Sequence, residues 1–222
     1  MMTSCACCGI AATRWSPAPA PRRPRKVKAI EAAAPGADAP AAPPHDSCKV
    51  LTLGHSTRPI EDFLALLRAH GVACLIDVRT VPRSRHNPQF ATDALAATLA
   101  ETGIGYAHAP GLGGFRRTVP DSPNIGWRNL SFRGYADYMQ TPEFAAQLAG
   151  LIDRARNERI ALMCAEAVPW RCHRSLIADA LVVHGVSTCE VVSTTRLQPH
   201  KLTPFAHVRG RNITYPPEPV SD

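Results

Sequence analysis

Long apolar runs are missing from this sequence of 222 residues. No stretch approaches the roughly 18 consecutive apolar residues that indicate a membrane-spanning helix. The opening residues 1–12 also lack the basic stretch and the long apolar core of a secretory signal. These absences argue against a membrane partner and against export, so we expect a cytoplasmic protein.

Paired cysteine motifs are missing too, although the chain holds eight cysteines. The N-terminal cluster Cys5-Ala6-Cys7-Cys8 resembles half of a metal or redox motif, but no second pair stands near it. With 45% apolar residues, the chain can bury an ordinary core without a disulfide scaffold. We expect a reducing compartment, mostly free thiols and incidental cysteines in the tail.

Recognisable cofactor and metal motifs are absent as well. The run Gly111-Leu112-Gly113-Gly114 follows a predicted strand, yet it lacks the Gly-x-Gly-x-x-Gly order of dinucleotide-binding turns. A zinc site would have to use Cys164, Cys172, His173 and His55. The side chains of the adjacent residues Cys172 and His173 are expected to point apart, which is poor spacing for zinc. The sequence therefore predicts no cofactor and no metal.

The sequence carries a positive net charge of +7. The predicted helices carry no stripe of lysines, and the basic residues of the body are mostly arginines in loops. Arginines in loops suit a local anion site better than a long nucleic-acid track. We expect an anionic partner, with a nucleotide or nucleic acid as the main candidate.

Composition divides the chain into three parts. Residues 1–46 are dominated by Ala and Pro and include a short basic run at 22–26, so they are predicted to form a disordered tail. Residues 47–197 are predicted to form one α/β domain. Residues 198–222 are rich in proline and are predicted to form an irregular C-terminal tail.

Within the domain, short apolar strands alternate with helical patterns. Strands are predicted at 50–54, 72–78, 104–108, 160–164 and 186–192, and helices at 59–70, 91–101, 141–157 and 172–184. This alternation predicts a Rossmann-like domain with a mainly parallel sheet covered by helices on both faces. The pattern leaves the strand order and the oligomeric state open.

Polar residues collect where the predicted strands end. Ligands of open parallel sheets bind beyond the carboxyl ends of the strands, so these residues are candidates for a site. They are the possible catalytic residue Asp77 and the possible anion-binding residues His55, Ser56, Arg79, Ser84, Arg85 and His108. If the strand of Asp77 lies beside the strand of Cys164, or one strand away, the two polar ends are neighbours.

The densest candidate segment is 164–174, which leaves a strand, passes through a loop and enters a helix. Backbone N–H groups at the helix start would favour an anion and lower the pKa of a nearby thiol. Glu166 could act as a general acid or base, or hold an arginine in place. The candidates are Cys164, Glu166 and Cys172 for catalysis and Arg171, His173 and Arg174 for anion binding.

The combination of these motifs resembles the domain of unknown function 488 family. The matching positions are Gly54-His55-Ser56, Asp77-Val78-Arg79 with Pro82 and Ser84, Leu112-Gly113-Gly114, Tyr135–Tyr138 and Cys164-x-Glu166 with Cys172-His173-Arg174. The resemblance covers about residues 50–195. It implies an α/β fold and a cysteine-bearing site, and it implies no settled reaction.

Three functions remain open at this point. The first is an enzyme that acts on a phosphate-bearing substrate through cysteine, glutamate and arginine. The second is rhodanese-like or phosphatase-like cysteine chemistry, although the six residues between Cys164 and Arg171 are more than the four or five of those loops. The third is a module that binds nucleic acid or a partner protein without catalysis.

Overall fold

The computed structural model describes residues 48–83 and 85–217. The predicted disordered tail, residues 1–46, and the candidate residue Ser84 lie outside this described part. The strands are β1 (Val50–Gly54), β2 (Cys74–Asp77), β3 (Gly105–His108), β4 (Ile160–Cys164), β5 (Thr188–Ser193), β6 (Arg196–Pro199), β7 (His207–Arg209) and β8 (Asn212–Thr214). The α-helices are α1 (Ile60–Ala69), α2 (Thr92–Glu101), α3 (Leu130–Tyr138), α4 (Pro142–Asn157) and α5 (Arg174–Val183).

Six of these strands form one sheet in the order β3-β2-β4-β1-β5-β6. The pairs among β1 to β5 are all parallel, and only β6 runs antiparallel to its neighbour β5. The strands β7 and β8 form a separate hairpin. The predicted mainly parallel α/β sheet is therefore confirmed.

Helices cover both faces of the sheet because its strands are apolar on both sides. In β4, Ile160 and Leu162 belong to one hydrophobic cluster, whereas Ala161 and Met163 belong to a second. Successive strand residues point to opposite faces, so the two clusters lie on opposite sides of the sheet. Helices α3, α4 and α5 contribute to the first cluster, and α1 and α2 contribute to the second.

The start of α4 follows the capping pattern in the sequence. The hydroxyl of Thr141 accepts a hydrogen bond from the Phe144 N–H, and Pro142 occupies the first helical turn. Helix α3 was not among the predicted helices, since Arg133 and Gly134 interrupt its apolar pattern. Among the described helices, none combines the length and the apolarity needed to cross a membrane.

The C-terminal segment differs from the irregular tail predicted for residues 198–222. Its described part, up to residue 217, contains the end of β6 and the hairpin of β7 and β8. Buried Asp179 of α5 anchors this segment by accepting hydrogen bonds from His200 Nε2 (2.8 Å), the Thr203 hydroxyl (2.7 Å) and the Tyr215 hydroxyl (2.8 Å). Proline content indicated a tail here, but a buried carboxylate requires partners, and these residues supply them.

The five cysteines of the described residues divide into one pair and three free thiols. Cys48 and Cys189 form a disulfide with a Cα–Cα distance of 5.9 Å. The two residues lie close together because β1 and β5 are adjacent strands. Cys74, Cys164 and Cys172 are free and buried. The expectation of mostly free thiols therefore needs correction at Cys48 and Cys189.

Candidate functional site

The polar ends of β2 and β4 lie side by side, which meets the condition set from the sequence for a shared site. These strands pair in parallel with Asp77 opposite Met163, and the Val78 N–H donates to the Met163 carbonyl at 3.0 Å. Strand β1 borders β4 on its other side, where the His55 N–H donates to the Cys164 carbonyl at 3.0 Å. The residues that follow three central strands therefore meet at one edge of the sheet.

The close approach of β1 to the loop after β4 explains why a glycine ends β1. A Cβ at Gly54 would lie 1.8 Å from the carbonyl oxygen of Glu166, so no larger residue fits without moving this backbone. The next residues turn sharply, with Ser56 at a φ of 50°, and its N–H donates to the Ala165 carbonyl at 2.9 Å. Ser56 contributes backbone geometry to the site.

Asp77 and Arg79 form a buried, bidentate ion pair. The Arg79 Nε donates to Asp77 Oδ1 at 2.8 Å, and its Nη2 donates to Oδ2 at 2.5 Å. Oδ1 also accepts from the Arg79 backbone N–H at 3.1 Å, and Oδ2 accepts from the Tyr106 hydroxyl at 2.9 Å. Both carboxylate oxygens of Asp77 are engaged by Arg79 and Tyr106, and the carboxylate orients the Arg79 guanidinium.

Two histidines extend this ion pair. The His55 Nδ1–H donates to the Ser56 carbonyl at 2.8 Å, so its Nε2 accepts from Arg79 Nη1 at 3.3 Å. Its ring stacks on Phe90 at 4.2 Å, and burial lowers the pKa of His55, which keeps the ring neutral. The His108 Nε2 bonds to the Arg79 carbonyl at 2.8 Å.

The thiols of Cys164 and Cys172 lie close together at the end of β4. Cys164 ends β4 and Cys172 lies two residues before α5, and both are buried. A hydrogen bond from the Cys172 thiol lowers the pKa of Cys164 to about 6, helped by the Glu166 and Ala165 backbone and by Arg174, although burial raises it. The pKa of Cys172 is raised, because it holds the shared proton and is itself buried. This arrangement favours the thiolate form of Cys164 over that of Cys172.

Arg174 brings a positive charge into this environment without a matching carboxylate. Its side chain is 1% exposed. Its Nη1 donates to the Glu166 carbonyl at 3.1 Å and approaches the Cys172 Sγ at 3.9 Å, while its buried Nε has no hydrogen-bond partner. Across the described residues, no carboxylate forms an ion pair with it. The positive charge of Arg174 also favours the thiolate form of Cys164.

His173 lies between the thiols and β2. Its Nε2–H donates to the Val78 carbonyl at 3.1 Å, and its Nδ1 lies 3.8 Å from the Cys172 Sγ. The expectation that Cys172 and His173 point apart is therefore wrong, because the turn into α5 brings both toward one space. Burial lowers the pKa of His173 to about 4, so it is neutral at pH 7. The Sγ atoms of both cysteines and this ring nitrogen lie within 4.8 Å of one another and could hold a metal ion.

Three of the predicted site residues extend into solvent instead. Glu166, Arg85 and Arg171 are all exposed. Glu166 takes part through its backbone, whose N–H stabilises the Cys164 thiolate and whose carbonyl accepts from Arg174. A general acid or base role for its carboxylate has no support in this geometry.

Several residues of the site carried no signal in the sequence. Tyr106 was assigned only to a strand, and Phe90 lies in a short 3-10 helix between β2 and α2. Gly114 passes so close to His173 that a Cβ would lie 2.6 Å from Nδ1. Tyr106 acts through its hydrogen bond to Asp77, and Phe90 and Gly114 act through packing against His55 and His173. The double glycine at 113–114 is a signal that could have indicated a close approach of backbone.

Comparison with known protein families gives a match to this chain. The model of a family described as "Domain of unknown function DUF488" matches residues 59–181. This range contains Asp77, Arg79 and the whole segment 164–174. No curated protein and no solved structure matches the chain.

Proposed function

The chain belongs to the DUF488 family, and we propose that it is a cysteine-dependent enzyme that acts on a phosphate-bearing substrate. Cys164 is its nucleophile and Arg174 binds the substrate anion. The observation that carries the proposal is the buried guanidinium of Arg174 beside the Cys172 thiol. Its Nε has no hydrogen-bond partner, and no carboxylate in the described part of the chain forms an ion pair with it.

A buried cation of this kind favours an incoming anion. Isolated charges are costly inside a protein and are normally paired. Arg79 meets this need with Asp77, whereas the guanidinium of Arg174 contacts, among the described residues, the Cys172 thiol and the Glu166 backbone carbonyl. A phosphate group has two oxygens that can accept a pair of hydrogen bonds from the planar guanidinium. The net charge of +7 would also attract a phosphate-bearing substrate from solution.

Cys164 has the surroundings of a nucleophile. The thiolate is the reactive form of cysteine, and a nearby cation and backbone N–H groups stabilise it. In the proposed reaction its Sγ attacks phosphorus, so that an S–P bond forms and the P–O bond to the leaving group breaks. The departing oxygen takes a proton from water. A second water then attacks phosphorus, which breaks the S–P bond, releases inorganic phosphate and restores the thiolate.

Exposed aromatic side chains favour a nucleotide or nucleic acid as the carrier of the phosphate. Trp170, in the loop between the two thiols, is 73% exposed, and Phe115, next to Gly114, is 85% exposed. Arg117 and Arg171 are exposed on the same two loops. Aromatic rings stack on bases of any sequence, and arginines neutralise the backbone phosphates.

Protection from alkylation tests the anion site. Iodoacetamide should modify Cys164 of the metal-free protein at neutral pH, and inorganic phosphate should slow that reaction; a short single-stranded oligonucleotide should slow it at lower concentration. Arg174→Gln should abolish the protection, while Arg171→Gln, the same charge change on an exposed neighbour, should preserve it.

Turnover separates an enzyme from a binding module. The wild type should hydrolyse p-nitrophenyl phosphate, and Cys164→Ser should lose that activity. Protection without any turnover of phosphate esters would support the non-catalytic alternative. Equal alkylation with and without phosphate would remove the anion site altogether.

A further inference from the structure

We infer that Cys164, Cys172 and His173 form a binding site for a soft divalent cation, with Zn²⁺ as the representative ion. The inference goes beyond the proposed function, because it concerns a second state of the same side chains. It rests on the positions of the two Sγ atoms and of His173 Nδ1, all within 4.8 Å of one another. Thiolate and imidazole are the ligands that zinc prefers.

The distance between the Cys172 Sγ and the His173 Nδ1 fits a shared metal ion. Zn–S and Zn–N distances of about 2.3 and 2.05 Å at a tetrahedral angle place the sulfur and nitrogen ligands about 3.6 Å apart. The Cys172 Sγ and the His173 Nδ1 are 3.8 Å apart. Small side-chain rotations would therefore bring these two atoms and the Cys164 Sγ into coordination.

His173 already has the orientation of a metal ligand. A ligating histidine usually donates its second ring N–H to a carbonyl or carboxylate, which fixes the tautomer and leaves the other nitrogen free to bind. Here Nε2–H donates to the Val78 carbonyl at 3.1 Å, and Nδ1 faces Cys172. Gly114 packs against the ring, where a Cβ would lie 2.6 Å from Nδ1, so the absence of a side chain at Gly114 lets His173 adopt this position.

The charges around the site balance when an anion completes the coordination of a divalent ion. Two thiolates and one divalent cation are neutral together, so an anionic fourth ligand would balance the charge of Arg174. The Arg174 backbone N–H donates to the Cys172 Sγ at 3.5 Å, and such bonds to sulfur support a metal-bound thiolate. With three protein ligands, a fourth coordination position is left for water or an anion.

The metal and the nucleophile use the same sulfur atom, so the two states exclude each other. The metal-loaded chain would be protected from alkylation, and the metal-free chain would be reactive. The proposed function can be measured in EDTA-treated protein, so a failure of either idea is visible by itself.

Cobalt absorption tests the site in the full-length chain. Because Cys5, Cys7 and Cys8 could bind metal independently, the test uses the variant with all three replaced by serine. Co²⁺ should bind one per chain and give the intense thiolate-to-cobalt band and visible bands of a tetrahedral site, and Zn²⁺ should displace it. His173→Gln and Cys172→Ala should each weaken binding at least about 100-fold, because losing a direct ligand costs more than losing an outer-shell partner.

Cys74→Ala is the matched control, since Cys74 is a free, buried cysteine outside the cluster. It should keep the cobalt spectrum. The absence of a thiolate-to-cobalt band in the serine-substituted parent would overturn the inference without any further variant. So would unchanged affinity in His173→Gln, and circular dichroism of that variant shows whether it is folded. If it is unfolded, the comparison of Cys172→Ala with Cys74→Ala decides.

Discussion

At the scale of single residues, the site contains two buried arginines with opposite environments. Arg79 forms a complete ion pair with Asp77, and Arg174 has none among the described carboxylates. The sequence offered both as anion-binding candidates, Arg79 at the end of a strand and Arg174 at the start of a helix. The structure pairs Arg79 with a carboxylate, and under the proposed function Arg174 binds the substrate.

Substitutions at these two positions should therefore have different effects on stability. Asp77→Asn leaves the buried Arg79 charge without an anionic partner and should lower the free energy of unfolding by about 3–5 kcal/mol. Arg174→Gln removes a buried charge that has no carboxylate partner, so it should change stability little or raise it. Urea denaturation of both variants measures the difference. Unfolding of Arg174→Gln alone would mean that Arg174 is a structural residue.

The residue types of the site could be predicted, but their pairing could not. The carboxyl ends of parallel strands share one edge, so Asp77, Arg79 and Cys164 were expected together. Which carboxylate Arg79 would meet depended on side-chain rotamers that a sequence pattern does not contain. The same limit explains why Glu166 was expected inside the site and lies outside it.

At the scale of elements, the C-terminal strands are held by one carboxylate in α5. Asp179 is fully buried and accepts from His200, Thr203 and Tyr215. Burial would lower the pKa of His200, yet its hydrogen bonds to Asp179 and Glu190 outweigh that effect and raise it to about 9. This histidine is therefore charged in the folded protein at neutral pH.

The charge on His200 makes part of the stability depend on pH. A raised histidine pKa gives stability that is present below the unfolded value of about 6.5 and is lost as the pH rises through about 9. The shift corresponds to about 3 kcal/mol at most. The difference in unfolding free energy between wild type and His200→Gln should shrink between about pH 6 and pH 10.

That comparison cancels the other groups that titrate in the same window, including Cys164, because both proteins contain them. Urea denaturation at several pH values provides the two curves. Parallel curves across the window would show that His200 carries no proton-linked stability.

Elements with strong periodicity were predictable, and those held by specific polar contacts were not. The bounds of β4 and α4 agree with the pattern to within a residue, because β4 is a continuous apolar strand and α4 carries a capping sequence. Helix α3 has an interrupted apolar face, and β6, β7 and β8 are short strands among prolines. The C-terminal segment that contains these strands is stabilised by distant partners such as Asp179, which local patterns do not reveal.

At the scale of the whole molecule, strand order determines the site. Placing β4 between β2 and β1 puts Cys164 between Asp77 and His55. Alternating strands and helices were enough to predict a parallel sheet with its site at the carboxyl edge. The order of the strands required the structure, and with it the separation of the site into the Asp77–Arg79 ion pair and the Cys164–Cys172 thiol pair.

The pH dependence of Cys164 alkylation tests this account most directly. EDTA-treated protein is reacted with iodoacetamide over a range of pH, and the rate at each cysteine is measured by mass spectrometry. We expect a midpoint for Cys164 near its pKa of about 6, with Cys172 and Cys74 unreactive at neutral pH. Cys172→Ala should move the midpoint upward, since it removes the hydrogen bond to the thiolate. A Cys164 midpoint at an ordinary thiol pKa, or equal protection of all three thiols, would contradict the account.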